Sequence, residues 1–211
     1  MDWLSKLYFL PGILLGLTVH EFCHAYSAYK LGDNTAKEQG RLTFNPIKHI
    51  DPLGFIFILI AGFGWAKPVE FNPENLKNFR RDKALIAAAG PLSNLILGIL
   101  LCFCVKGLIN YYYFNDNLTE NINIEHLYYV LIYAASINFG LFIFNLLPIP
   151  PLDGSHIVFS GLNLKPEIEH KIRMIGMPLL FVIIIIQNTS DITIIPLGKV
   201  INVMLNFFIS L

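Results

Sequence analysis

The chain has 211 residues, 55% of them apolar and 14% charged, and its 15 basic and 15 acidic side chains cancel. An ordinary soluble domain carries about 25% charged residues, so this composition excludes a soluble nucleic-acid binder, which needs a basic surplus, and a disordered chain, which needs low hydrophobicity. The length allows one domain or two. Three cysteines, two of them at 102 and 104 in an apolar run, do not make a disulfide framework. What remains is a membrane protein whose few charges are informative one by one.

Residues 7–29 form the first predicted span, with Glu21 as their only formal charge. They do not read as a signal peptide: Asp2 precedes Lys6, and the apolar run leads directly into His20, Glu21 and His24. Residues 30–51 then carry Lys30, Lys37, Arg41 and Lys48. The next apolar stretch, 52–66, is 15 residues long with Gly54, Gly62 and Gly64, a length that suits a re-entrant segment better than a crossing one. Its continuation to Phe71, through Trp65 and Pro68, is expected to be extended because of its Gly, Pro and β-forming residues. Such backbone is tolerated at membrane depth only beside protein or a cavity, so residues 52–71 are expected to place an unpaired strand edge near an internal site. Residues 67–83 are again basic, with Lys67, Lys77, Arg80, Arg81 and Lys83.

Residues 84–105 and 127–150 are free of charge and long enough to cross about 30 Å of hydrocarbon. Between them, Lys106 is the only basic residue beside Asp116, Glu120 and Glu125, whereas 153–173 hold Lys165, Lys171 and Arg173. If 52–66 dips in and returns, the basic loops all lie on one face, as the positive-inside rule requires. Residues 174–187 and 192–211 supply one or two further helices. The fold expected is therefore an all-α polytopic membrane protein in a single unit. It has a three-helix core within 7–156, a small re-entrant β element and C-terminal helices in 174–211.

His20-Glu21-Phe22-Cys23-His24 is an H-E-x-x-H motif. Residues four apart share a helix face, so both imidazoles can serve one metal, with Glu21 placed to take a proton from the water that metal activates. Ionisable groups in an apolar span cost a few kcal/mol each, which argues against a chance match. A catalytic zinc needs a third protein ligand and an open position. Cys23 points away from the pair, Cys102 and Cys104 suit small buried apolar positions, and His49, His126, His156 and His170 fall in loops or at ends, where a histidine is usually solvated. Asp153 remains, following Pro148, Pro150 and Pro151, which break the third span. Alone it reads equally as a surface turn; beside H-E-x-x-H it is the third ligand. In the topology above, His20, His24, Asn94 and Asp153 converge on the inner half of the bilayer, the His within about 15 Å of their helix end and Asn94 about 12–18 Å up its own. Asn94 fits an interhelical hydrogen bond and an oxyanion donor equally well.

These motifs resemble the site-2 proteases, the intramembrane zinc metalloprotease family. The resemblance is carried by the H-E-x-x-H run, by Gly90-Pro91-Leu92-Ser93-Asn94, by residues 145–154, and by Gly64-Trp65-Ala66-Lys67-Pro68-Val69, which is similar to the family's re-entrant β element. Residues 41–46 and 49–52 are similar to the segment leading to that element in short bacterial and archaeal members. The resemblance implies one zinc per chain on His20, His24 and Asp153, with Glu21 as base and Asn94 assisting the oxyanion or orienting substrate. It also implies cleavage of a transmembrane protein substrate in or near its helix, with Gly64, Trp65, Lys67 and Pro68 pairing with the unwound strand. It places the chain as a multi-pass protein of a prokaryotic cell membrane, with its site in the cytoplasmic half. No PDZ-like insert and no nucleotide-sensing tail are recognised. The rival readings are a metal-handling membrane protein, either a transporter or an inactive homologue that binds client helices, and a membrane zinc hydrolase for other peptides. Glu21 weighs against the first, because a pure metal site has no need of an unliganded carboxylate beside a ligand. Nothing in the residues gives the client or the oligomeric state.

Overall fold

A computed structural model describes residues 3–61, 64–114, 122–162, 164, 166–190 and 193–211. Gly62 and Phe63 of the expected re-entrant stretch, the loop acids Asp116 and Glu120, Lys165 and Asp191 lie outside the described residues.

The described chain is nearly all helical. Its elements are α1 (Trp3–Lys30), α2 (Thr35–Glu38), α3 (Pro52–Ala61), α4 (Phe79–Phe114), α5 (Ile122–Asn145), α6 (Asp153–Leu162), α7 (Pro166–Thr189) and α8 (Leu197–Ser210). By length and hydropathy, α4 and α5 qualify as membrane spans. Helix α1, at 28 residues, is long enough, but His20, Glu21 and His24 dilute its apolar character. The third predicted span ends earlier than expected: α5 stops at Asn145, ahead of the proline run, and a new helix starts at Asp153. The C-terminal part forms two helices.

Helices α1, α4 and α5 pack against one another, α6 lies on α4, and α8 covers α4 and α5. Small residues let the backbones approach: a methyl group on Gly12 would meet the Ala134 backbone, and one on Gly98 would meet the Phe139 ring. Leu205 of α8 completes an apolar cluster with Leu101, Cys102, Ala134, Ala135 and Phe139. The rest of the surface is inverted relative to a soluble protein. Leu92, Ile96, Leu100 and Phe103 are exposed along α4, while Asp33, Arg41, His49, Asn94 and Asn138 are buried. That distribution suits a bilayer as solvent.

The segment between α1 and α4 forms an irregular apron. Asn45 and Asn72 each precede a proline and cap short 3-10 turns, accepting from the Ile47 N–H (3.1 Å) and the Glu74 N–H (3.0 Å). Of the expected β element, the described residues contain one antiparallel bridge, Ile50 to Ala66, and no strand. Residues 52–61 are helical, and the extended course begins only after them.

Candidate metal and hydrolytic site

The i, i+4 spacing within α1 brings the His20 and His24 rings to 4.6 Å between centroids, edge to face, with their Nε2 atoms 3.0 Å apart. Asp153 Oδ2, from the first turn of α6, lies 3.1 Å from His20 Nε2 and 3.3 Å from His24 Nε2. The proline run at 148–151 ends the helical path of α5 and turns the chain back into the bundle. Gly154 then lets α6 start against the Leu146 and Leu147 carbonyls, where a Cβ would collide.

The far side of each imidazole settles its tautomer. The Ile86 carbonyl can only accept, so His24 Nδ1, 2.7 Å away, carries its proton. Asn94 Nδ2 donates to the Gly16 carbonyl (3.0 Å) and to Asn138 Oδ1 (2.9 Å). That orientation turns Asn94 Oδ1 toward His20 Nδ1 at 2.6 Å, so this nitrogen too is the protonated one. In the neutral imidazoles the Nε2 lone pairs then face each other and a carboxylate oxygen. Asp153 Oδ2 is buried and has no hydrogen-bond donor among the described residues.

Two imidazole nitrogens and a carboxylate oxygen this close need a positive charge among them, a metal ion or a proton. The donor set of two imidazoles and one carboxylate is that of catalytic zinc, and the ligands of a tetrahedral zinc lie about 3.3 Å apart for bonds near 2.0–2.1 Å. Position 90 makes the room. A Cβ on Gly90 would collide with both Nε2 atoms. Pro91 follows it and, having no N–H, leaves the Ala87 carbonyl without its donor in the α4 ladder.

Glu21 is buried beside this cluster, and its Oε2 accepts from the Val69 N–H at 3.0 Å. This contact brings the 64–71 segment onto the site. Trp65 is 41% exposed and packs on Phe57 of α3 at 5.4 Å, and Gly64 lies against Gly54. Lys67 and Pro68 are exposed. The Lys67 N–H donates to the His49 carbonyl at 2.8 Å. In extended chain alternate residues face the same edge, so Lys67 and Val69 face inward and the backbone of Ala66 and Pro68 faces outward.

Other sequence expectations separate here. Cys102 is buried as expected, but Cys104 is exposed. His170 is exposed. The other three histidines expected to be solvated are not. His49 is fully buried, its Nε2 2.7 Å from the Thr43 carbonyl. His126 lies within α5 and meets the Tyr8 hydroxyl. His156 is in contact with Arg173 of α7 at 3.3 Å. Burial pushes the His49 imidazole below its ordinary pKa, assisted by the Arg41 charge and opposed by the Thr43 hydrogen bond and Glu21. Three participants were missed: Asn138, which completes the amide chain to His20; Arg41; and the Val69 N–H. Asn138 carried a signal, an amide within an apolar run. A backbone N–H carries none.

Comparisons with known proteins bear on the family of the chain. The family model for peptidase family M50 matches residues 8–187. The chain is 45% identical over 151 residues to "Putative zinc metalloprotease YwhC" of Bacillus subtilis, covering 72% of this chain and 67% of that protein. It is 30% identical over 165 residues to "Putative zinc metalloprotease Rip2" of Mycolicibacterium smegmatis, covering 76% of this chain and 58% of that protein. A shorter match, 34% identical over 70 residues, covers 30% of this chain and 17% of "Zinc metalloprotease RasP" of Shouchella clausii. No solved structure matches the chain. With the family model spanning most of its length, the chain belongs to peptidase family M50, the site-2 protease family of intramembrane zinc metalloproteases.

Proposed function

We propose that the chain hydrolyses a peptide bond within or near a transmembrane helix of a membrane-protein substrate, with zinc held by His20, His24 and Asp153. The observation that carries this reading is the convergence of two Nε2 atoms and one carboxylate oxygen beside a buried Glu21 that is not among the three. When bound, zinc supplies Lewis acidity, polarising a carbonyl and lowering the pKa of water toward about 7. Glu21 is the base. One carboxylate oxygen is fixed by the Val69 N–H, which leaves the other to accept the proton of the attacking water and return it to the leaving amine. Asn94 holds His20 in the tautomer that leaves Nε2 free. Both of its amide hydrogens are engaged, so an oxyanion role would require one of them to swing away.

A substrate helix must unwind before its peptide bond is accessible. The outward edge of residues 64–68 is suited to receive the extended strand, with backbone bonds from Ala66 and the Pro68 carbonyl and with Gly64, Trp65 and Lys67 lining it. In this reading α1, α4 and α5 cross the bilayer and residues 52–71 re-enter it. The nine basic residues of 30–51 and 67–83 mark the cytoplasmic face of a prokaryotic cell membrane. Residues 7–156 form the catalytic core and 174–211 buttress it within one domain.

The test is turnover of a model transmembrane substrate in proteoliposomes, with metal analysis. One zinc per chain, cleavage lost to a chelator and restored by zinc, and an Glu21→Gln variant that keeps zinc and loses at least about 100-fold in rate are expected. Undiminished cleavage by that variant would overturn the base. Zinc without turnover in the unaltered protein would favour a metal-handling role.

A further inference from the structure

We propose that Arg41 is a positioning residue for Glu21, acting through the Lys67 peptide and the Val69 N–H; this rests on Glu21 being the base. Arg41 is only 4% exposed and forms no ion pair among the described residues. A buried guanidinium without a bonded carboxylate is expensive to keep, so what it touches matters. One terminal nitrogen donates to the Lys67 carbonyl. The same peptide unit's neighbour, the Lys67 N–H, donates to the His49 carbonyl at 2.8 Å, and Ala66 bridges to Ile50. Residue 67 is therefore gripped at both its backbone polar groups, by Arg41 and by His49.

Two residues on, along the same edge, the Val69 N–H meets Glu21 Oε2. The loop carrying Arg41 is itself fixed to α1, because Phe44 stacks on Phe22, the residue after Glu21, with ring centroids 4.0 Å apart. The contacts close a ring: Glu21, Val69, Lys67, Arg41, Phe44, Phe22. The carboxylates that attract the guanidinium are Glu21, a member of that ring, and Glu70, the residue after Val69. Arg41 Nε is buried without a hydrogen-bond partner among the described residues, and the guanidinium's bond goes to the Lys67 carbonyl. Together with the His49 carbonyl on the Lys67 N–H, it holds residues 66–69 at a fixed height over the base.

The experiment uses the full chain in proteoliposomes and reads zinc content, turnover and amide exchange in variants of Arg41 and Val69. Arg41→Ala is expected to keep one zinc per chain, to lower kcat about tenfold with little change in KM, and to speed amide hydrogen exchange in residues 64–71 but not in α4. Arg41→Lys, which keeps a donor and a charge, recovers part of both losses and serves where Arg41→Ala does not fold. Val69→Pro removes the N–H itself and also lowers kcat. Because Arg41 acts through that N–H, the double variant loses no more than Val69→Pro alone. Wild-type kcat and exchange in Arg41→Ala, or losses that multiply in the double variant, overturn the proposal. Failure of the underlying reading looks different: Glu21→Gln stays active, while the exchange data still report whether Arg41 grips the segment.

Discussion

At position 94 a single side chain has its carbonyl and both amide hydrogens committed, to His20, Gly16 and Asn138. Asn94→Ala is expected to weaken zinc binding about 10–100-fold while kcat at saturating zinc stays near that of the unaltered protein. Competition with a chromophoric chelator measures it, and a loss of kcat at unchanged zinc affinity would mark Asn94 as an oxyanion donor. Gly90→Ala is a second test at this scale. Alanine favours helix over glycine by about 1 kcal/mol, yet here its methyl group would strike both imidazoles. Circular dichroism should show α4 intact while metal analysis shows zinc lost. His20, Glu21 and His24 were legible because helix periodicity is local, and Asp153 because three prolines flag a break. Arg41 and His49 were not, since a basic loop residue reads as solvated until the fold that covers it is known.

Among the elements, the apron between α1 and α4 depends on Asp33. Its carboxylate is fully buried and accepts from the Thr35 N–H (3.1 Å), the Thr35 hydroxyl (2.6 Å), Asn75 Nδ2 (2.7 Å) and the Asn72 N–H (2.9 Å). Asp33→Ala would leave those donors unsatisfied and should cost about 2–4 kcal/mol, read as a lower unfolding midpoint in detergent. Burial alone would raise this carboxyl's pKa, but the hydrogen bonds outweigh it and hold it below the ordinary 3.8. Its contribution is therefore present above pH 3.8 and is lost as pH falls through the lower folded value. His49 acts earlier. The fold keeps it neutral below its ordinary 6.5, whereas the unfolded chain takes a proton there. Stability should fall as pH drops below about 6.5, and His49→Gln should flatten that part of the profile. The long helices were legible from their uncharged lengths. The helical start of 52–61 was obscured because a short apolar run fits helix and strand alike, and the turns that follow Asn45 and Asn72 depend on side chains capping a nearby backbone.

For the whole molecule, placing residues 30–51 and 67–83 on one face makes a topological prediction. In a cysteine-free background, Lys37→Cys and Lys77→Cys should react with a membrane-impermeant thiol reagent from the same side, and Tyr113→Cys, at the far end of α4, from the other. Opposite sides for the first pair would mean that 52–66 crosses. The proposed ligands come from α1 and α6, far apart in the chain, so metal binding is also folding free energy. Chelation should lower the unfolding midpoint as well as stop cleavage.

The polar side chains of α1 bear on how the protein is made. His20, Glu21 and His24 are buried against residues of α4, α6 and the apron, and none of these exists when α1 leaves the ribosome. A charged residue near the middle of an inserting helix costs roughly 2.5–3.5 kcal/mol, so α1 alone is a reluctant guest in lipid. In the proposed topology its stable residence there waits on α4, whose uncharged stretch, residues 84–105, is the first long enough to hold the membrane unaided. Membrane insertion thus becomes a cooperative step in which a later helix rescues an earlier one, and a chain ended before residue 79 should be extracted by alkaline carbonate while one ended after α5 should resist.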